Sequence, residues 1–153
     1  GIDFTKTESP DFTININGKI FIECTSSHLT VRKSGDIKYK IKGTIDTKSA
    51  KAYCNPKTAL FVDVTNLYYS SLVNEIDLEK NDVSNYTKRI LEDTDFGSMV
   101  LFVFLQNFKL NSYEQNYLRV DNDNINAVLS SFLDRNYPFG NKHIGTHRIP
   151  KVG

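Results

Sequence analysis

The chain has no apolar run near the roughly 18 residues of a membrane span. It also has no basic-then-apolar leader at its start. It has two cysteines, Cys24 and Cys54, without CxxC spacing. That argues against a disulfide framework or a cysteine zinc site, and reads as two buried reduced thiols in a cytoplasmic protein. No phosphate-cradling glycine loop, no Ser/His/Asp order, no internal repeat and no low-complexity segment occurs. Asn85-Tyr86-Thr87 matches a glycosylation triplet, a chance match in an Asn-rich chain with nothing else to suggest secretion. The start at Gly1-Ile2-Asp3, without Met, reads as a cleaved or excised piece of a longer protein.

What is present is a chain of 153 residues, 39% hydrophobic and 24% charged. It reads as one domain over 1–153, long enough to bury roughly two thirds of its unfolded surface without disulfides or a structural metal. The formal net charge of +1 hides an asymmetry. Residues 31–57 hold Arg32, Lys33, Lys38, Lys40, Lys42, Lys48, Lys51 and Lys57 against Asp36 and Asp46, whereas 63–97 is acidic. A basic sector in a near-neutral chain fits a polyanion-binding face, or else a solvated lysine-rich helix.

Periodicity predicts the elements. Phe12 to Ile16 alternates as a strand. Asn17-Gly18 predicts a type I′ hairpin turn, and Lys19 to Thr25 is the return strand, with Phe21, Glu23 and Thr25 on one face. Ser26 to Asp36 reads as loop. Ile41, Ile45, Lys48 and Ala52 share a helical face within Lys40 to Cys54, and Asn55-Pro56 stops that helix. Ala59 to Val64 and Ser98 to Leu105 are apolar enough for buried central strands. Residues 82–92 read as a helix, Ser112 to Val120 as an edge strand, and Asp123 to Asn136 as an amphipathic helix burying Ile125, Val128, Leu129, Phe132 and Leu133. Residues 138–153 read as a basic, irregular tail. The expected fold is α/β, a mixed sheet flanked by helices, with a hairpin joined to a parallel strand through a helical crossover.

The hairpin places two carboxylates, Asp11 and Glu23, on its two arms. A pair of acids at one end of a sheet can hold Mg²⁺, which takes one or two carboxylates plus substrate phosphate. A lysine beside such a pair would position the attacking water and offset charge in the transition state. Pro10-Asp11, a spacer and Phe21-Ile22-Glu23-Cys24-Thr25 resemble the signature of the PD-(D/E)XK nuclease superfamily, the restriction-endonuclease-like proteins. The resemblance covers about the first 65 residues, in the order hairpin, helix, strand, without the family's first helix. It implies a metal-dependent nuclease, acting on DNA, with Mg²⁺ or Mn²⁺ held by Asp11, Glu23 and the Cys24 carbonyl. Thr25 stands where the family's lysine would be. Some members take that lysine from the following helix, which makes Lys48 the first candidate and Lys51 the second. Arg32, Lys33, Lys38, Lys40 and Lys42 would contact nucleic acid. A homodimer is compatible with this reading, and no membrane is implied. The alternatives are a catalytically inactive nucleic-acid or protein-binding module of the same fold, and an unrelated α/β protein whose acids are surface residues.

Other candidates are weaker. Glu8 is the sole glutamate upstream of Pro10. His28 could touch a phosphate, and Asp63 could be a third acid, although its strand position suggests a structural role. His143 and His147 have the spacing of a helical metal pair, but Gly145 argues against a helix there. Tyr68, Tyr69, Tyr113 and Tyr117 could stack on bases.

Overall fold

The computed structural model describes residues 9–26, 30–78, 82–140 and 143–148. Its element order is β1 (Phe12–Asn15), β2 (Lys19–Ser26), α1 (Ser34–Ser49), β3 (Thr58–Asp63), α2 (Thr65–Val73), α3 (Val83–Glu92), β4 (Ser98–Asn107), β5 (Ser112–Asp121), α4 (Ala127–Asn136) and β6 (His143–Arg148). The strands form one mixed sheet in sequence order. The β2–β3 and β3–β4 pairs are parallel, and the other neighbours are antiparallel. The expected α/β class, with helices on a mixed sheet, is the observed one.

The sheet buries both faces. Leu60, Val62, Met99, Leu101 and Val120 pack with Ile37, Ile41 and Ile45 of α1, Leu67 of α2 and Leu91 of α3. Ala59, Val100, Phe102 and Tyr117 pack on the other side with Leu129 and Leu133 of α4. The arrangement follows from the connections. Two parallel crossovers of one hand, stepping in one direction along the sheet, must both fall on one face. That leaves the opposite face to α4.

Several boundaries differ from the sequence expectation. The turn is a three-residue loop, because Asn15 pairs with Lys19; Asn17 takes φ 50° and Gly18 φ 143°. α1 starts and ends earlier than predicted. Asp36, within its first turn, accepts the N–H groups of Arg32 (3.0 Å) and Lys33 (3.2 Å). The Arg32 bond foremost holds the Asp36 carboxyl below its usual range. α2 was not anticipated, since Thr65-Asn66-Leu67-Tyr68-Tyr69-Ser70 has no clear apolar period. β5 is not an edge strand: β6 covers it, pairing Ser112↔Arg148 through Asn116↔His143. Residues 143–148, expected to be irregular, thus form a strand. Both cysteines are free, but Cys24 is exposed and Cys54 half-buried, not buried as expected. Thr87 of the glycosylation triplet is buried inside α3, unlike the surface loop such a site needs.

Candidate functional site

The hairpin register decides where the two acids meet. Phe12 pairs with Ile22 and Thr13 with Phe21, so one step further Asp11 lies opposite Glu23. β1 stops at Phe12, after Pro10, which has no N–H to donate. The Asp11 side chain takes over the pairing: its Oδ2 accepts the Cys24 N–H at 2.8 Å. In return, Glu23 Oε2 accepts the Asp11 N–H at 3.2 Å. Each carboxylate therefore holds the backbone of the opposite arm.

Glu23 is buried, 6% exposed, on the sheet face covered by α1. A buried carboxylate needs a partner. α1 supplies one. Ile37, Ile41 and Ile45 form its buried stripe, and Lys48 continues that stripe three residues on. Helical side chains tilt toward the N-terminus, which carries the Lys48 ammonium back along the helix. Lys48 Nζ lies 2.8 Å from Glu23 Oε1. Its place in the last turn also suits a cation against the helix dipole.

The structure thus brings Asp11, Glu23 and Lys48 together, and it does not bring in Lys51. α1 ends at Ser49, so Lys51 sits in the following turn, its N–H donating to the Lys48 carbonyl at 3.1 Å. No ion pair joins Lys51 to either acid among the described residues. Asp11 is exposed and Glu23 buried, and the two lie close together across the hairpin. Asp63 falls elsewhere. It shares a face with Phe61 and Ala59, opposite Glu23, and its Oδ1 accepts the Thr65 N–H and hydroxyl at the start of α2.

The residues that could hold a hard divalent cation here are all oxygen donors. Asp11 and Glu23 offer carboxylate oxygens. An extended residue directs its N–H and C=O to the same side, so the Cys24 carbonyl turns toward Asp11, past the end of β1. No cluster of three or more His, Cys, Asp or Glu side chains occurs among the described residues. Two carboxylates with a carbonyl suit an ion that keeps waters and shares a substrate phosphate. The Cys24 thiol points to the other face. Partial burial, then the charges of Asp11 and Glu23, push its pKa up.

The basic sector is less uniform than its sequence suggests. Arg32 and Lys33 are exposed at the entry to α1. Lys38 Nζ stands 5.1 Å above the Tyr86 ring on α3. Lys42 pairs with Asp46. Lys40 projects about 200° around the helix from Lys38. Lys38 and Lys42 share one side of α1, Lys40 lies on another, and Arg32 and Lys33 precede the helix, so the five do not form one face.

Tyr117 is buried, its hydroxyl donating to the Pro138 carbonyl at 2.6 Å. Tyr113 packs on Phe104, and Tyr68 on Tyr69. Tyr117 is therefore a packing residue. His143 and His147 lie on β6, so the helical spacing does not apply to them. Glu8 and His28 lie outside the described residues. The sequence reading missed Arg119. Its guanidinium is buried and bonds Asp121 and Asp134 at 2.7–2.9 Å, an alternating-strand position that gave no polar signal. No helix among the described residues is long and apolar enough to cross a membrane. Comparison of the chain with protein-family models, with curated proteins and with solved structures finds no match.

Proposed function

We propose that this protein is a metal-dependent nuclease that hydrolyses phosphodiester bonds in DNA, built on the restriction-endonuclease-like plan. The observation that carries the reading is the Lys48 ammonium 2.8 Å from Glu23 Oε1, with Asp11 opposite. The lysine missing at Thr25 has its substitute on the next helix. Asp11, Glu23 and the Cys24 carbonyl would hold Mg²⁺ or Mn²⁺, which when bound supplies Lewis acidity and an activated water. Lys48 orients the water through its N–H donors and offsets charge on the phosphate oxygens. Arg32 and Lys33, exposed at the α1 entry, are the first candidates for backbone contact, which makes binding salt-dependent. The other three basic residues named from the sequence, Lys38, Lys40 and Lys42, are second.

The test compares Asp11→Ala and Glu23→Ala with wild type for Mg²⁺-dependent DNA cleavage, with circular dichroism to verify folding. Loss of cleavage in folded variants is the expected result. Wild-type cutting by both variants refutes the site.

One observation favours a second reading, a non-cleaving module of the same fold. Both acids already bond the opposite arm's backbone, so they serve the hairpin without a metal. A Mn²⁺ titration separates the readings: no binding at millimolar metal by the folded protein selects the module.

A further inference from the structure

The oxygens of the two carboxylates are almost all engaged. Glu23 Oε1 accepts the Lys48 ammonium at 2.8 Å, and Glu23 Oε2 the Asp11 N–H at 3.2 Å. Asp11 Oδ2 accepts the Cys24 N–H at 2.8 Å. Among the described residues, Asp11 Oδ1 is the oxygen left over.

A divalent ion entering here meets a charge already in place. At a magnesium–oxygen bond of about 2.1 Å, an ion on Glu23 Oε1 would lie at most about 5 Å from the Lys48 nitrogen. Even at the screening of bulk water, repulsion between a divalent and a monovalent cation over that distance lowers affinity about tenfold. The Glu23 side chain is 8% exposed, and a drier site screens less. Binding at Oε2 instead would take the acceptor of the Asp11 N–H and stay beside the same ammonium.

Lys48 can give way. Among the described residues its ammonium bonds Glu23 alone. Its side chain is 22% exposed, and lysine is a point charge on a flexible stem. The stem can stay along the stripe of Ile37, Ile41 and Ile45 while the ammonium turns to water. Arg119 is the opposite case: it is 1% exposed and its planar guanidinium joins Asp121 and Asp134. The bonds that close the hairpin do not pass through Lys48, so its departure leaves the two acids side by side.

We propose that Lys48 is the resident counter-ion of the acid pair, and that a divalent cation loads by displacing its ammonium from Glu23 Oε1. Lys48 thereby sets a weak metal affinity, and the site fills only where the ion is abundant enough to move it. The inference rests on the metal-site reading above and adds how that site is regulated.

The test titrates Mn²⁺ into the whole chain by calorimetry, without nucleic acid. Lys48→Met should bind Mn²⁺ at least about tenfold more tightly than wild type. At one fixed Mn²⁺ concentration it should also gain more in Tm, because an ion held only by the folded state stabilises according to its occupancy. Lys51→Met, which removes a cation outside the pair, should bind as wild type does. A second measurement needs no variant: acetylation read by mass spectrometry should label Lys48 faster in high Mg²⁺ than in EDTA, while Lys42 keeps its rate. Equal or weaker Mn²⁺ binding by Lys48→Met, an equal tightening in Lys51→Met, or an unchanged Lys48 labelling rate overturns the displacement alone where wild type still cleaves DNA with Mg²⁺. Tight binding by Lys48→Met beside a wild type that neither binds Mn²⁺ nor cleaves leaves Lys48 standing as the counter-ion and removes the nuclease reading. No binding by either protein removes both.

Discussion

Replacing Lys48 with methionine tests the site through stability, independently of cleavage. Glu23's side chain is 8% exposed and Lys48's 22%. Removing one member of a buried pair costs about 3–5 kcal/mol, and losing one hydrogen bond to a charged group about 1.5–3 kcal/mol. Glu23 keeps the Asp11 N–H in Lys48→Met, and the ammonium already touches water. The lower range applies, so we expect a loss of about 2 kcal/mol. In a domain of this size that is a fall in Tm of about 4–8 °C. Urea denaturation measures it. Glu23→Gln added to Lys48→Met removes the stranded charge, so the double variant should be more stable than the two single losses predict, by about 1 kcal/mol. Strict additivity, or a Lys48→Met variant as stable as wild type, refutes the pairing. Lys51→Met, outside the pair, should change neither stability nor cleavage.

Other expectations follow from single contacts. Arg119→Met removes a side chain 1% exposed that bridges Asp121 and Asp134; a loss of about 3 kcal/mol in chemical denaturation is expected. At Gly97, a Cβ would lie 2.2 Å from the Pro56 carbonyl oxygen. Gly97→Ala should therefore destabilise by about 1–3 kcal/mol, read from Tm. Cys24 is exposed, yet its thiol is held protonated by partial burial and then by Asp11 and Glu23. Iodoacetamide should alkylate it slowly at neutral pH and faster only as pH rises past the ordinary thiol range, with modest acceleration in Asp11→Asn. Because the native state keeps this proton longer, the thiol's contribution to stability fades as pH climbs through that range.

The legible parts of the chain were those in which one face is buried. Alternation in Phe12 to Ile16 and Lys19 to Thr25 put Asp11 and Glu23 on the two arms of one hairpin, but their facing positions come from the three-residue loop, since the expected two-residue turn would set Asp11 opposite Cys24. The four-residue spacing of Ile41 and Ile45 pointed to Lys48. Lys51 falls past the end of α1, which stops at Ser49, and nothing in Ser49-Ala50-Lys51-Ala52 marks that stop. The start of α1 was missed because Ile37 is isolated among Gly and Lys, and its entry depends on Asp36 bonding backwards to two N–H groups. α2 was hidden by Tyr and Ser at positions that tertiary packing, not periodicity, decides. β5 read as an edge because its cover, β6, carries Gly145 and no apolar alternation.

The reciprocal bonding of Asp11 and Glu23 bears on how activity could be gained or lost. Either acid removed from the chain unlatches the first strand as well as emptying the site. On the nuclease reading proposed above, a relative that does not cut DNA would still be held to an acceptor at both positions by the need to close its hairpin. Lys48 is under no such backbone duty. On that reading, position 48, whose ammonium bonds a side chain and no backbone group, is where a non-cleaving relative should diverge first, with an uncharged residue replacing Glu23 to spare the stranded charge.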